Sequence, residues 1–213
     1  MRLHAPGQSL GALAEFYANL LGLPDLTVGE TTLEFAAGED EPFHHFALLA
    51  PGDRFPEVLA WARERVELLP DSDSGEVVFD FSNWDAQACY FHDPAGNIVE
   101  LIAHRGIGEA ETEGPFEGRE LLGVSELGLV GDTAGMARLL RHELGLELWD
   151  GSLEEGSLAF LGERARTLIL GPPGRGWLPT GRPAELHPVE AELSGLTPGS
   201  VELEGGLYRI SSS

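Results

Sequence analysis

The sequence predicts an α+β fold built from tandem βαβββ units, paired into curved mixed sheets with helices on the outer face. Three observations carry this. Three segments have apolar residues at helical spacing, and short strand-like runs separate them. "FYANLLGL" (16–23) lines up with "LLRHELGL" (139–146) at an offset of 123, so a helix and its Leu-Gly-Leu exit occur twice. Between the copies, 106–120 is rich in Gly and Glu, has no periodicity and reads as a linker. Two domains are expected, 1–105 and 121–213.

In chain order, the strand "RLHA" (2–5) precedes a first helix whose apolar face is Leu10, Leu13, Tyr17, Leu20 and Leu21. Ser9 stands as its N-cap and Gly22 just past its end. After "HHFALL" comes a second helix on Phe55, Val58, Leu59, Ala62 and Val66, with Pro56 near its first turn. Strands "VVFDF" (77–81), "QACYF" (87–91) and "IVELI" (98–102) follow. In the second half "SELGLV" (125–130) leads through Asp132 and Thr133 into a third helix on Met136, Leu139, Leu140 and Leu144, ended by Gly145. "LAFL" (158–161) and "TLIL" (167–170) close that unit, and 187–213 forms a last unit with no helix. One such unit cannot bury its own sheet, so units pair, and the concave face of a paired sheet is where a ligand belongs.

Composition removes several functions. Across 213 residues, 13 basic side chains face 36 acidic ones, a net charge of −23, which argues against nucleic acid and against an anionic membrane surface. All 13 basic residues are arginine, and without lysine there is no Schiff-base chemistry and no P-loop. The lone Cys89 allows no internal disulfide and no zinc-finger framework. No apolar run reaches the ~20 residues of a membrane span, and the polar interruptions at Gln8, Glu15 and Asn19 do not suit a signal peptide. The cytoplasm is the expected compartment.

"AEFYANLLGLP" (14–24), "HHFALLAP" (44–51) and "YFHDPAGNIVELIAH" (90–104) resemble the vicinal oxygen chelate superfamily, which holds glyoxalases, bleomycin- and fosfomycin-resistance proteins and extradiol dioxygenases. The resemblance covers 1–105 and, more weakly, 121–193. It implies a divalent metal, Fe, Mn or Zn, held by the first strand of one unit and by the first and last strands of its partner. His45 and Glu100 match the partner's two positions. For the third, the family spacing lands on Arg2, which cannot ligate a cation, and His4 lies two residues on, on the same strand face.

The resemblance further implies a small-molecule substrate or ligand and is compatible with a homodimer. Tyr90 and His92 share a strand face and are the candidates for proton transfer. Phe81, Trp84 and Arg2 are candidate substrate contacts. The function expected is a metal-dependent enzyme of the glyoxalase or extradiol dioxygenase type acting on adjacent oxygens. The alternative is a metal-free protein that sequesters a cationic compound in an acidic cleft, as in bleomycin-type resistance.

In the second half the first strand offers Glu126 or Ser125 to the concave face, depending on a one-residue register. His187, before Pro188 at a strand edge, is expected to be exposed. "GQSLG" (7–11) matches G-x-S-x-G but has only six residues before it, too few for the strands a nucleophile elbow needs. "PDSDSGE" (70–76) has the composition of a calcium loop but the wrong glycine position, and reads as a turn.

Overall fold

The computed structural model describes residues 1–22, 26–108 and 114–213. The end of the "LGLP" exit, 23–25, and 109–113 of the linker lie outside the described residues. The first half runs β1 (Arg2–Pro6), α1 (Leu10–Leu21), β2 (Thr27–Val28), β3 (Thr31–Thr32), β4 (Glu34–Gly38), β5 (His45–Ala50), α2 (Phe55–Arg63), β6 (Phe79–Phe81), β7 (Ala86–His92) and β8 (Ile98–His104). The second half runs β9 (Gly123–Val130), α3 (Thr133–Leu144), β10 (Leu148–Gly151), β11 (Ala159–Glu163), β12 (Arg166–Gly171), β13 (Gly176–Trp177), β14 (Arg182–Pro183), β15 (Val189–Leu193), β16 (Gly199–Leu203) and β17 (Tyr208–Ser212).

The helices end where the sequence says they should. Gly22 and Gly145 take left-handed φ of 70° and 74°, and their N–H groups return to the carbonyls of Ala18 and Arg141. Asp132 caps α3 by accepting from the Gly135 N–H at 3.0 Å. Ser9 differs from expectation: it closes a 3₁₀ turn, Gly7–Ser9, and its side chain caps nothing, because the chain enters α1 already wound. Leu139, counted in the apolar face of α3, is 44% exposed.

Strand order decides which residues can meet. The larger sheet reads β10-β11-β12-β9-β5-β8-β7-β6 and the smaller β16-β17-β15-β1-β4. The second and third units therefore join through β5 and β9, antiparallel, while the first and fourth join through β1 and β15. The first unit gives its sheet only β1 and β4, because β2 and β3 form a separate hairpin. The helices fill the space on the opposite side of each sheet from the site. There Leu3, Tyr17, Leu48, Leu101, Leu140 and Leu170 belong to one continuous core. No helix among the described residues is long and apolar enough to cross a membrane.

The family-like motifs hold this core together. Tyr17 Oη donates to Asp93 Oδ2 at 2.9 Å, and Asn97 Nδ2 donates to the same oxygen at 2.8 Å. Asp93 Oδ1 accepts from the N–H groups of Ala95 and Asn97, and Asn97 Oδ1 accepts from the His44 N–H at 2.7 Å. The tyrosine of "FY" and the Asp and Asn of "DPAGN" thus fasten α1 to the β7–β8 turn and to the start of β5. All are buried and paired, as a buried polar group must be. These motifs specify the fold, and none of the three side chains faces the site.

Candidate metal centre

Three adjacent strands build the site. β5 and β8 pair with Ala47 opposite Glu100, and β5 and β9 pair with Ala47 opposite Glu126. Glu100 and Glu126 thus straddle Ala47, whose methyl leaves room between them. His45 lies two residues along β5 on the same face. One ligand atom from each of His45, Glu100 and Glu126 falls within 4.8 Å of the other two. The three residues are 6%, 2% and 3% exposed.

The chemistry of this set fits a divalent cation. The His45 Nδ1 lies 3.1 Å from the carbonyl of Ile98, which accepts its proton and leaves Nε2 with a bare lone pair. That lone pair faces Glu100 Oε2 at 3.6 Å, so two acceptors converge with Glu126 completing the group. Without a cation the group responds by losing charge. Burial lowers His45 to about 4 and raises Glu126 to about 7, and burial with the neighbouring Glu126 charge raises Glu100 well above the usual carboxylate range. One imidazole and two carboxylates neutralise a dication and suit Fe(II), Mn(II) or Zn(II).

The surroundings orient two of the three side chains, His45 and Glu100. Tyr90, directly opposite Glu100 on β7, is hydrogen-bonded to that carboxylate, and burial foremost keeps its phenol protonated. The Trp177 ring covers His45 at 4.9 Å between centroids. Gly128 makes this possible, since a Cβ there would meet the indole at 2.9 Å. Arg182 holds the β13–β14 hairpin in place: its Nη1 donates to the Gly96 carbonyl at 3.1 Å, and its guanidinium lies over Phe43. Thr167, paired in register with Glu126, has a buried hydroxyl with no partner among the described residues. Ile169 stands at the position that corresponds, by register, to Glu100 in the other unit of this sheet.

The predicted site residues divide into two groups. His45, Glu100 and Tyr90 are together. Phe81 and Trp84 lie on the same sheet's concave side, 5.3 Å apart, where Trp84 also packs against Trp149 at 5.2 Å and Phe160 at 4.8 Å. His92, on the same strand face as Tyr90, is exposed at the strand end, with its Nδ1 3.2 Å from the Asn97 carbonyl. Arg2 and His4 lie in the other sheet, where Arg2 pairs with Glu190 at 3.7 Å. The His4 carbonyl accepts from His44 Nε2 at 2.9 Å. Neither joins the cluster, because unit two pairs with unit three. Pairing the first unit with the second leads to His4, whereas the observed pairing leads to Glu126.

The structure also selects one of two expected registers and corrects one expected exposure. β9 turns Glu126 inward, while Leu127 and Leu129 join the core on the helix side. The His187 side chain is only 14% exposed and packs edge-on against Phe43 and His44. "PDSDSGE" is a turn as expected, with Asp71 Oδ1 accepting from the Asp73 and Ser74 N–H groups. Sequence reading did not find Thr167 and Trp177; a Thr in an apolar strand and a Trp after a Gly-Pro loop carry no distinctive signal.

No protein-family model and no curated protein matches the chain. Solved structures do. A Bacillus subtilis protein described as a "putative dioxygenase" matches with a TM-score of 0.56 and 16% identity, over 100% of this chain and 83% of that one. A glyoxalase I mutant from Zea mays matches with a TM-score of 0.50 and 12% identity, over 80% of this chain and 65% of that one, so this chain spans less than two thirds of the maize length. These likenesses show that the chain has the vicinal oxygen chelate fold.

Proposed function

We propose that the protein is a divalent-metal-dependent enzyme of the glyoxalase or dioxygenase type, acting on a small substrate with two adjacent oxygens. The observation that carries this is the convergence of His45, Glu100 and Glu126, all buried and within 4.8 Å of one another, on the concave face of the larger sheet. The structural neighbours described as a dioxygenase and a glyoxalase support the reaction class. A metal held there would supply Lewis acidity and a template for two substrate oxygens.

The chain's own residues have separable parts. The Ile98 carbonyl fixes the His45 tautomer, and Tyr90 holds Glu100 by a hydrogen bond while keeping its own proton. Trp177 keeps water from His45. The Thr167 hydroxyl beside Glu126, without a partner among the described residues, is available to a substrate oxygen. His92 is set aside as proton carrier because it stands exposed at the strand end.

The test is metal content. The protein is purified without tag or chelator and bound first-row metals are measured by plasma mass spectrometry, beside His45→Ala and Glu126→Gln. About one Fe, Mn or Zn per chain, lost in both variants, is expected, followed by activity in oxygen-uptake or thiol-adduct assays. A wild-type protein that stays metal-free after reconstitution refutes the proposal and leaves sequestration of a ligand.

A further inference from the structure

The far end of the same concave face contains polar atoms that the metal reading does not use. On β8, Glu100, Ile102 and His104 are successive inward positions, so His104 lies four residues, about 13 Å, beyond Glu100. His104 is 0% exposed, and neither ring nitrogen has a hydrogen-bond partner among the described residues. The Trp84 backbone carbonyl is the acceptor nearest the ring and favours one N–H, short of full hydrogen-bond geometry, and the Trp84 indole stacks over it at 6.5 Å. A buried imidazole left in this state costs stability, so something is expected to use it.

Arg164 stands beside it. Its Nη2 donates to the carbonyls of Arg105 at 2.9 Å and Asp85 at 3.3 Å, the residues flanking His104 and its cross-strand partner Ala86. Its Nε is buried and has no partner among the described residues. Among the described residues this corner thus holds one unsatisfied donor, Arg164 Nε, and one loosely held donor, the His104 N–H. The nearby acids are engaged elsewhere: Asp85 with Arg105 at 3.4 Å, and Asp150 with the Trp84 indole. Between this corner and the metal residues the floor is Ala47, Ala86, Ala88 and Ile102, without a charge.

We propose that His104 and Arg164 form a distal anchor for an acidic group, so that the ligand of this site is elongated, apolar in the middle and carries a carboxylate about 13 Å from its metal-binding oxygens. The near end rests on the metal reading; the anchor does not. Trp84 occupies the mouth among Phe81, Trp149 and Phe160, and the ligand displaces it to reach His104.

The experiment separates the two readings by working without metal. Chelator-stripped protein is titrated with 4-phenylbutanoate and with 4-phenylbutanamide, followed by tryptophan fluorescence and calorimetry. The acid is expected to bind about tenfold more tightly than the amide. His104→Phe and Arg164→Gln should each bring the acid to the amide's level while keeping the wild-type metal content. Arg164 is only half-buried, so its variant tests the anchor even where His104→Phe folds poorly. Equal binding of acid and amide, binding of neither, or acid binding retained in Arg164→Gln overturns the anchor. Absence of metal from the wild type leaves this result untouched and refutes only the metal reading.

Discussion

The two sheets follow the same alternation of inward and outward residues, yet among the described residues only one gathers buried side chains able to hold a metal ion. The larger sheet turns His45, Glu100 and Glu126 inward and buries them under Trp177 and a rim of aromatic rings. On the smaller sheet the corresponding face carries Arg2, Glu190, Glu202 and Arg209. These are solvated and joined in pairs, Arg2–Glu190 at 3.7 Å and Arg209–Glu202 at 3.2 Å. The larger sheet has eight strands and receives Trp177 of the β13–β14 hairpin over His45, whereas no such cover lies over the ion pairs of the five-stranded sheet among the described residues. The difference shows that ligand-type residues on an inward face are not enough. Burial without a counter-charge is what makes a carboxylate demand a cation.

The strongest way to break this comparison is to neutralise one carboxylate on each sheet. Glu126→Gln is expected to lower metal affinity more than about 100-fold, beyond what loss of an outer-shell partner costs. Glu190→Gln should leave it unchanged, as read by equilibrium dialysis against Mn(II). Equal effects would mean that the buried cluster is not the metal centre.

The pH dependence sharpens the contrast. Burial holds Glu126 at about 7, against 4.5 when unperturbed, so the stability tied to its neutral form is full below about 4.5 and is lost as pH rises through about 7. Metal-free Glu126→Gln, uncharged throughout, should therefore gain on the wild type over that window, by up to roughly 3 kcal/mol above pH 7. Urea denaturation at pH 4.5, 6 and 8 measures this. A constant offset between the two proteins would show that Glu126 is ionised in the folded apoprotein.

A smaller effect tests the fold's own fastening. Tyr17→Phe removes one donor from buried Asp93 and should cost about 1–3 kcal/mol by denaturant melting without changing metal content. The smallest effect is expected on the open sheet: Arg2→Ala should shift stability by less than about 0.5 kcal/mol, since its ion pair is solvated.

The helices, their glycine exits and most of the strands were legible in the sequence, because helical periodicity and left-handed glycines act locally. His45 and Glu100 were legible as well, being short-range features of one unit that the "HHFAL" and "GNIVEL" segments display. His4 was misleading for a reason of topology. The third member of the cluster depends on which unit completes the sheet, a choice made by contacts between residues some 80 apart in the chain, β5 with β9. Periodicity carries no information about that partner.

Local pattern along the chain was enough for the repeated units, the exclusion of lysine chemistry, the resemblance to the vicinal oxygen chelate superfamily and two of the three members of the buried His/Glu/Glu cluster. The join of unit two to unit three emerged only in the assembled sheet. With that join came Glu126 in place of His4, the register that turns Ser125 away, the cover provided by Trp177, and the distal corner of His104 and Arg164. The physical reason is that helix and turn preferences are settled within a few residues, whereas strand pairing is settled by which apolar faces can be buried together, a property of the whole chain.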